Sequence, residues 1–241
     1  MANSRTARDL LLHLEEKGWI ELPPRLGPKN NLKPNLFTQA PLFCNTPLEA
    51  TLSQYGNLCQ QWVTPRESDL WDYPVHDHHC LGRASLVGEP LRYLAFLNAQ
   101  GVARLGWASA AFKVEGRDQF IGRDVPTRHK HLCFVAPPVR FLILPWVHIK
   151  PLASKVLAFH LRRLSNDWQT IYGHPLSLAE TFVDLSRFQG TCYQASNWID
   201  VDRTKGSAKR GNGYHPHDQP KAISLYPLHR EFRRKLNDDP G

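Results

Sequence analysis

A chain of 241 residues with 41% apolar and 10% aromatic side chains can bury a core, which excludes wholesale disorder. It has no apolar run of the roughly eighteen residues that a membrane helix needs, and no apolar block with a small-residue cleavage site near Met1, so neither a spanning nor an exported protein is expected. The net charge of +8 sits almost wholly between Arg203 and Lys235, where Arg203, Lys205, Lys209, Arg210, Lys221, Arg230, Arg233, Arg234 and Lys235 meet only Asp218 and Glu231. Such a localised tract favours phosphate contacts, because neutralising phosphates releases condensed counterions. The cysteines Cys44, Cys59, Cys80, Cys133 and Cys192 are scattered without a C-x-x-C pair, which reads as reduced thiols in a cytoplasmic protein.

In chain order, Thr6 to Lys17 predicts an amphipathic helix with Leu10, Leu11 and Leu14 on one side, ended by Gly18. Trp19 to Leu22 then predicts a short strand stopped by Pro23-Pro24, so residues 1–22 look like the last helix and wing of a partial winged-helix segment. Residues 23–69 read as a proline-rich linker, with weak helical character from Thr51 to Pro74. The main domain is placed at 70–241. Leu91–Leu97 and Val102–Val114 predict a hairpin turning at Asn98 to Gly101. Arg117 to His131 is polar and partly helical. Arg140 to Ile149 predicts a strand covered on both faces, with a bulge or splayed edge at Pro145, which cannot donate to a ladder.

Pro151 suits the first position of a helix running to Tyr172, on which Ala153, Leu157, Leu161, Leu164, Trp168 and Ile171 recur at spacings of three and four. A strand at Leu176–Val183, a turn with a short helix, and a strand at Trp198–Val201 follow. The strand, long helix and strand make a crossover in a mixed sheet.

Several histidines and carboxylates are candidates for chemistry. His76, His78 and His79 are the first metal candidates, and His129-x-His131-x-Cys133 and His215-x-His217 alternate as strand residues sharing a face would. Zinc or manganese with a carboxylate would activate water toward a phosphodiester. Glu180 lies in an apolar strand, where a carboxylate is costly without a partner, and it is the preferred acidic residue, with Asp118 second. Tyr193 suits a general acid or a nucleophile. Arg117, Arg140, Arg203, Thr204, Lys205, Lys209, Arg210, Arg230, Arg233 and Arg234 are candidate nucleic-acid contacts. Trp198, like Trp146, could stack a base, although a buried tryptophan is the commoner fate. The stretch Thr204 to Gly213 suits phosphate cradling without having the Walker spacing.

A set of segments is similar to the Druantia anti-phage DruA-like family, long known as a domain of unknown function. They are His78-His79-Cys80-Leu81-Gly82, Arg117-Asp118-Gln119-Phe120-Ile121-Gly122, the run Arg140 to Val147, Glu180-Thr181-Phe182-Val183-Asp184, the run Gly190 to Trp198, and Tyr226-Pro227-Leu228-His229-Arg230. The resemblance spans roughly residues 5–236 and departs from the family pattern at Cys80 and at Pro137-Pro138. It implies work in anti-phage defence or beside mobile elements, on DNA, with a helicase partner in the defence setting, and a chain beginning inside the family's N-terminal module.

The order strand, bulge, helix, strand, then Tyr193-x-x-x-Asn197-Trp198 also resembles the GNAT acetyltransferases, whose corresponding tyrosine serves as a general acid. The GNAT-like phage DNA-modification protein Mom shows a stretch similar to Gly190 to Asn197. The expected fold is therefore α/β, a GNAT-like mixed sheet with flanking helices. The cofactor is open between a divalent metal and acetyl-CoA. The latter is disfavoured because His148-Ile149-Lys150-Pro151-Leu152-Ala153 lacks the glycines that let helix N–H groups approach a pyrophosphate. DNA cutting or rejoining, GNAT-type transfer onto DNA, and a binding module with a decayed site are the functions these residues leave open.

Overall fold

In the computed structural model of the chain, two residues with left-handed backbone, Asn98 (φ 46°) and Ala99 (φ 65°), close a tight hairpin between β3 (Leu91–Leu97) and β4 (Gln100–Trp107). This backbone matches the twist of the paired strands. The structure describes residues 14–15, 17–21, 47–49, 57–82, 86–205, 207–210, 213–216 and 220–238, with the backbone alone at 207–210 and 213–216. The chain divides into residues 1–39 and 40–241.

In the first unit, Leu14 and Glu15 are helical and Gly18 takes the expected left-handed conformation (φ 68°), with Trp19 N–H donating to Leu14 O at 3.0 Å. Residues 19–21 form no strand, so the wing expected there is absent from the described residues. The rest of the expected N-terminal helix and the linker from 23 to 46 lie outside them.

In the second unit, β3 and β4 are flanked by β2 (Leu58–Trp62) and β6 (Pro138–Ile143) in an antiparallel sheet ordered β2-β3-β4-β6. A strand therefore stands where the sequence suggests weak helical character, and a 3-10 turn at Pro65–Glu67 then leads into α1 (Ser68–His78). A pair of dipeptides, β1 (Leu48–Glu49) and β7 (Val147–His148), run parallel. The expected strand from Arg140 to Ile149 is thus broken into β6 and β7 by a turn at Pro145-Trp146, where the missing N–H ends the ladder. The second sheet is mixed, ordered β5-β8-β12-β9, from β5 (Val135–Ala136), β8 (Leu178–Asp184), β9 (Ile199–Arg203) and β12 (Lys221–Pro227). β5 is parallel to β8, and the other neighbours are antiparallel. β10 (Ser207–Arg210) and β11 (Gly213–Pro216) form a separate hairpin.

The helices are α2 (Glu115–Ile121), α3 (Val125–His131), α4 (Leu152–Tyr172), α5 (Thr191–Gln194) and α6 (Phe232–Asn237). Asp124 caps α3 by accepting the Thr127 N–H at 2.9 Å. The apolar stripe of α4 buries Leu157, Leu161, Leu164 and Trp168 in one core with Trp71, Trp107 and the inner faces of β3 and β4. A second core gathers Val114, Ile121, Leu178, Ile223, Leu225, Phe232 and Leu236 beneath α2 and α6. The result is the α/β architecture of mixed sheet and flanking helices expected from the sequence.

Gly106 shows how tightly the first core is set. A Cβ there would lie 2.6 Å from Cζ2 of Trp71, whose indole N–H is fixed on Leu105 O at 2.9 Å. Gly106→Ala is expected to cost about 1–3 kcal/mol by overpacking. A urea midpoint unchanged from wild type would show that the indole can move aside.

Candidate functional site

Alternation along β8 separates residues that the sequence grouped together. Leu178 and Glu180 face the second core and α2, whereas Thr181 and Val183 help line a cleft. Glu180 and Tyr193 therefore belong to different sites.

On the first face, Arg117 and Glu180 are both 0% exposed. Nη1 of Arg117 donates to Oε1 and Oε2 of Glu180 at 3.1 and 3.0 Å and to Ala111 O, Nη2 donates to Phe112 O, and Nε donates to Asp118 Oδ1 at 3.2 Å. Arg117 is consequently a buried structural ion, and the expected nucleic-acid contact there is corrected. Asp118 also accepts from Nε of Arg123 at 3.0 Å and Nη1 of Arg128 at 2.9 Å. Burial pushes the Asp118 carboxyl up, but Arg128, Arg117 and Arg123 together outweigh it and hold the carboxyl below the usual range. Burial raises Glu180 more than Arg117 lowers it. Glu180 faces no water or substrate path as a general base would need, and Asp118, at the edge of a cavity, is occupied by three guanidiniums.

On the other face, the cleft of about 540 Å³ opens where β6 and β8 diverge without a ladder, between Phe141, Ile143, Thr181, Val183, Arg187 and Tyr193. Burial raises the Tyr193 phenol to about 12, against a hydrogen bond with Thr181. The phenolate that a nucleophile requires is thus costly, while the protonated form suits proton donation. Trp198 is 6% exposed and packed between Tyr193 (centroids 5.1 Å) and Tyr226 (5.8 Å), so the expected base stacking is corrected to a core role.

The three metal candidates point apart. His76 Nδ1 pairs with Asp77 at 2.8 Å, His78 meets the Trp146 ring edge-on, and His79 lines the cleft. Burial, then Arg140 and Arg187, lower His79 to about 4, so it is neutral at pH 7. His131 stacks near Phe134 while His129 meets Phe112, and the side chains of His215 and His217 lie outside the described residues. Among the described residues no three histidines, cysteines or carboxylates are grouped to hold a metal ion. The cysteines described there, Cys59, Cys80, Cys133 and Cys192, are free thiols. Arg140 is committed to the carbonyls of Gly82, Val139 and Leu81, so it ties down a loop instead of reaching for a ligand.

The remaining basic candidates lie toward the surface. Arg203 pairs with Asp200 at 2.6 Å, Thr204 Oγ1 accepts the Lys221 N–H at 2.9 Å, and Lys205, 80% exposed, pairs with Glu115 at 2.7 Å. The side chains of Lys209 and Arg210 lie outside the described residues. α6 is fastened to the end of α2 by Arg233 Nε on Phe120 O (3.2 Å) and Asn237 Nδ2 on Ile121 O (3.4 Å), and it packs beside α3. The two packed helices carry exposed basic residues, His129 and Lys130 on α3 and Arg233, Arg234 and Lys235 on α6, with exposed Arg230 just ahead. The Arg233 guanidinium lies 4.6 Å over Phe120 and 4.7 Å over Phe232, which pre-orients a cation at the surface. The contribution of α3 was missed in the sequence, because its basic residues precede the charged C-terminal tract by about a hundred positions. No helix among the described residues is long and apolar enough to cross a membrane.

The family model described as Druantia protein DruA matches residues 54–214. No curated protein matches the chain in sequence. Among solved structures, an aminoglycoside acetyltransferase AAC(6')-Ib in complex with coenzyme A is similar at 13% identity and TM-score 0.47, over 73% of this chain and 96% of its own. A GNAT-family acetyltransferase from Streptococcus pneumoniae is similar at 14% identity and TM-score 0.44, over 71% and 99%. The ribosomal-protein-S18-alanine N-acetyltransferase from Escherichia coli follows at 11% identity and TM-score 0.46, over 71% and 94%.

Proposed function

The chain belongs to the family of the Druantia protein DruA, which supports a role in anti-phage defence, and we propose that it serves that role by binding DNA through the basic corner of α3 and α6. The observation that carries this reading is the packing of α3 beside α6, two helices that carry exposed His129 and Lys130 and exposed Arg233, Arg234 and Lys235, with exposed Arg230 just ahead. The Arg234–Glu231 pair there is exposed at 62% and 52%, so it yields readily to a phosphate. Cutting or rejoining of strands would need a metal-ligand set or an accessible nucleophile, and among the described residues no metal-ligand set is grouped. The reading therefore rests on binding.

A second reading, transfer of a group onto DNA, is favoured by one observation, the cleft that holds protonated Tyr193. The loop before α4 does not fit the pyrophosphate of an acyl-CoA. Pro151 has no N–H, and the Leu152 N–H is committed to Ile149 O at 2.9 Å. No step through that cofactor follows from these residues.

The test is fluorescence anisotropy of a labelled duplex across a salt series. Wild type should weaken log-linearly with salt, and joint Arg233→Ala and Arg234→Ala should flatten the slope by about 2, the loss of roughly two phosphate contacts. Equal slopes for variant and wild type, or no duplex binding near physiological salt, would remove the reading.

A further inference from the structure

The buried arginine cluster holds more cation than its carboxylates can accept. Both Nη atoms of Arg123 and Nε of Arg128 are buried with no hydrogen-bond acceptor. The Arg123 side chain is 0% exposed, and its Nη2, 3.0 Å from Asp118 Oδ1, is close in charge but not aligned for a hydrogen bond. The Arg128 side chain is 7% exposed, and its Nη1 already serves Asp118. A buried charged donor left without an acceptor costs more than the roughly 1–3 kcal/mol of a neutral one, so several on adjacent side chains call for a missing acceptor. Burial and neighbouring Arg117 hold the Arg123 guanidinium below its ordinary value, as crowded cations should be.

These two arginines line a cavity of about 380 Å³ together with Lys113, Lys205, Glu115 and Asp118. Both carboxylates are already covered, Asp118 by three guanidiniums and Glu115 by Lys205. Lys113 is exposed, as is Lys205. The cavity also reaches Gly122, next to Ile121, whose carbonyl holds Asn237 of α6, so it adjoins the basic corner.

We propose that this cavity is an oxyanion site of the phosphate class, with Arg128, Lys113 and Lys205 as its donors and the buried, unmatched charge of Arg123 behind them, and that in the DNA complex the anion is a backbone phosphate. The source of the phosphate rests on the DNA-binding reading. The site itself rests on the unmatched guanidinium groups. Planar guanidinium donors suit such an anion better than a water, which accepts hydrogen bonds but brings no charge.

Two measurements on the full chain test it. The first is thermal unfolding in inorganic phosphate against chloride at equal ionic strength, for wild type, Arg123→Gln and Lys113→Glu. The second is duplex anisotropy on the same proteins, with the Arg233→Ala/Arg234→Ala variant beside them. Lys113→Glu is included because Arg123→Gln also loosens Asp118 and can lower stability, whereas Lys113 sits outside the buried cluster. Phosphate should raise the melting temperature of wild type and of neither pocket variant. Both pocket variants should bind the duplex roughly 3- to 10-fold more weakly, with Arg123→Gln flattening the salt slope by about 0.9, one phosphate. If phosphate stabilises nothing and the pocket variants bind DNA as wild type does, while the α6 variant is weakened, the site is overturned and the DNA reading stands. If phosphate stabilises wild type alone but no protein binds duplex, the DNA source is overturned together with the proposed function.

Discussion

Arg117→Leu is expected to destabilise the protein by about 3–5 kcal/mol, because it strands a fully buried carboxylate. Nη1 of Arg117 serves both oxygens of Glu180 and the Ala111 carbonyl, and Nη2 serves the Phe112 carbonyl. Without the guanidinium, Glu180 must take a proton, and the two carbonyls lose their donors. Glu180→Gln should cost less, since an amide oxygen still accepts from Arg117. Joint Arg117→Leu and Glu180→Leu should recover much of the single-variant loss, because removing both members of a buried pair leaves no stranded charge. Urea unfolding of wild type, Arg117→Leu, Glu180→Leu and the double leucine variant gives the coupling directly, with Glu180→Gln beside them. The outcome bears on function as well as stability. If Glu180→Gln left stability intact but abolished a DNA activity, Glu180 would be a working acid or base, and its structural assignment would fall.

That pair also shows what a sequence can and cannot reveal here. Glu180 was conspicuous as a carboxylate in an apolar strand, and Arg117 as a basic residue in a family segment. Their partnership spans 63 positions and follows no local pattern, so Arg117 was read as a DNA contact. The helix α4 was legible because Leu157, Leu161, Leu164 and Trp168 repeat at helical spacing, and it runs one residue short of the expected start. The strand β2 was not, because its inward residue is Gln60, whose amide donates to Val156 O at 3.0 Å and accepts from His160 at 2.8 Å. A satisfied polar residue there broke the alternation that marks a strand. β12 lies between β8 and β9 at the middle of its sheet, yet it was hidden inside a tract that charge made conspicuous for another reason. The expected strand from Val102 to Val114 ends at Trp107, and the carbonyls of Ala111 and Phe112 turn instead to Arg117. For Arg117, for β2 and for the end of β4, a long-range polar partner overrode a local signal.

The other large expected effect is a loss of stability in mild acid, centred on His160. Its ring is wholly buried, with centroids 4.2 Å from Tyr93 and 5.5 Å from Trp107, and Nδ1 shares a 2.8 Å hydrogen bond with Gln60 Oε1. Nε2 has no acceptor, so a second ring proton would find none. Burial first, and then the Arg163 cation, lower the imidazole to about 3 from an ordinary 6.5. The folded value is depressed, so the unfolded chain binds the extra proton first as pH falls. The stabilisation is fully present above about pH 6.5 and drains away toward pH 3, on the order of 5 kcal/mol across that window. His79, lowered to about 4, loses stability in the upper part of the same range. Asp118, held low, adds its own loss only below the unfolded carboxylate range, while Glu180, held high, works in the opposite sense as it protonates. Urea unfolding at successive pH values between 7 and 4 should therefore fall by about 1.4 kcal/mol per pH unit for each histidine that remains neutral in the fold. His160→Gln keeps a donor toward Gln60 and should flatten that dependence by close to one proton. An equally steep dependence in that variant would mean that His160 is free to protonate inside the folded core, and the acid sensitivity would then belong to other groups.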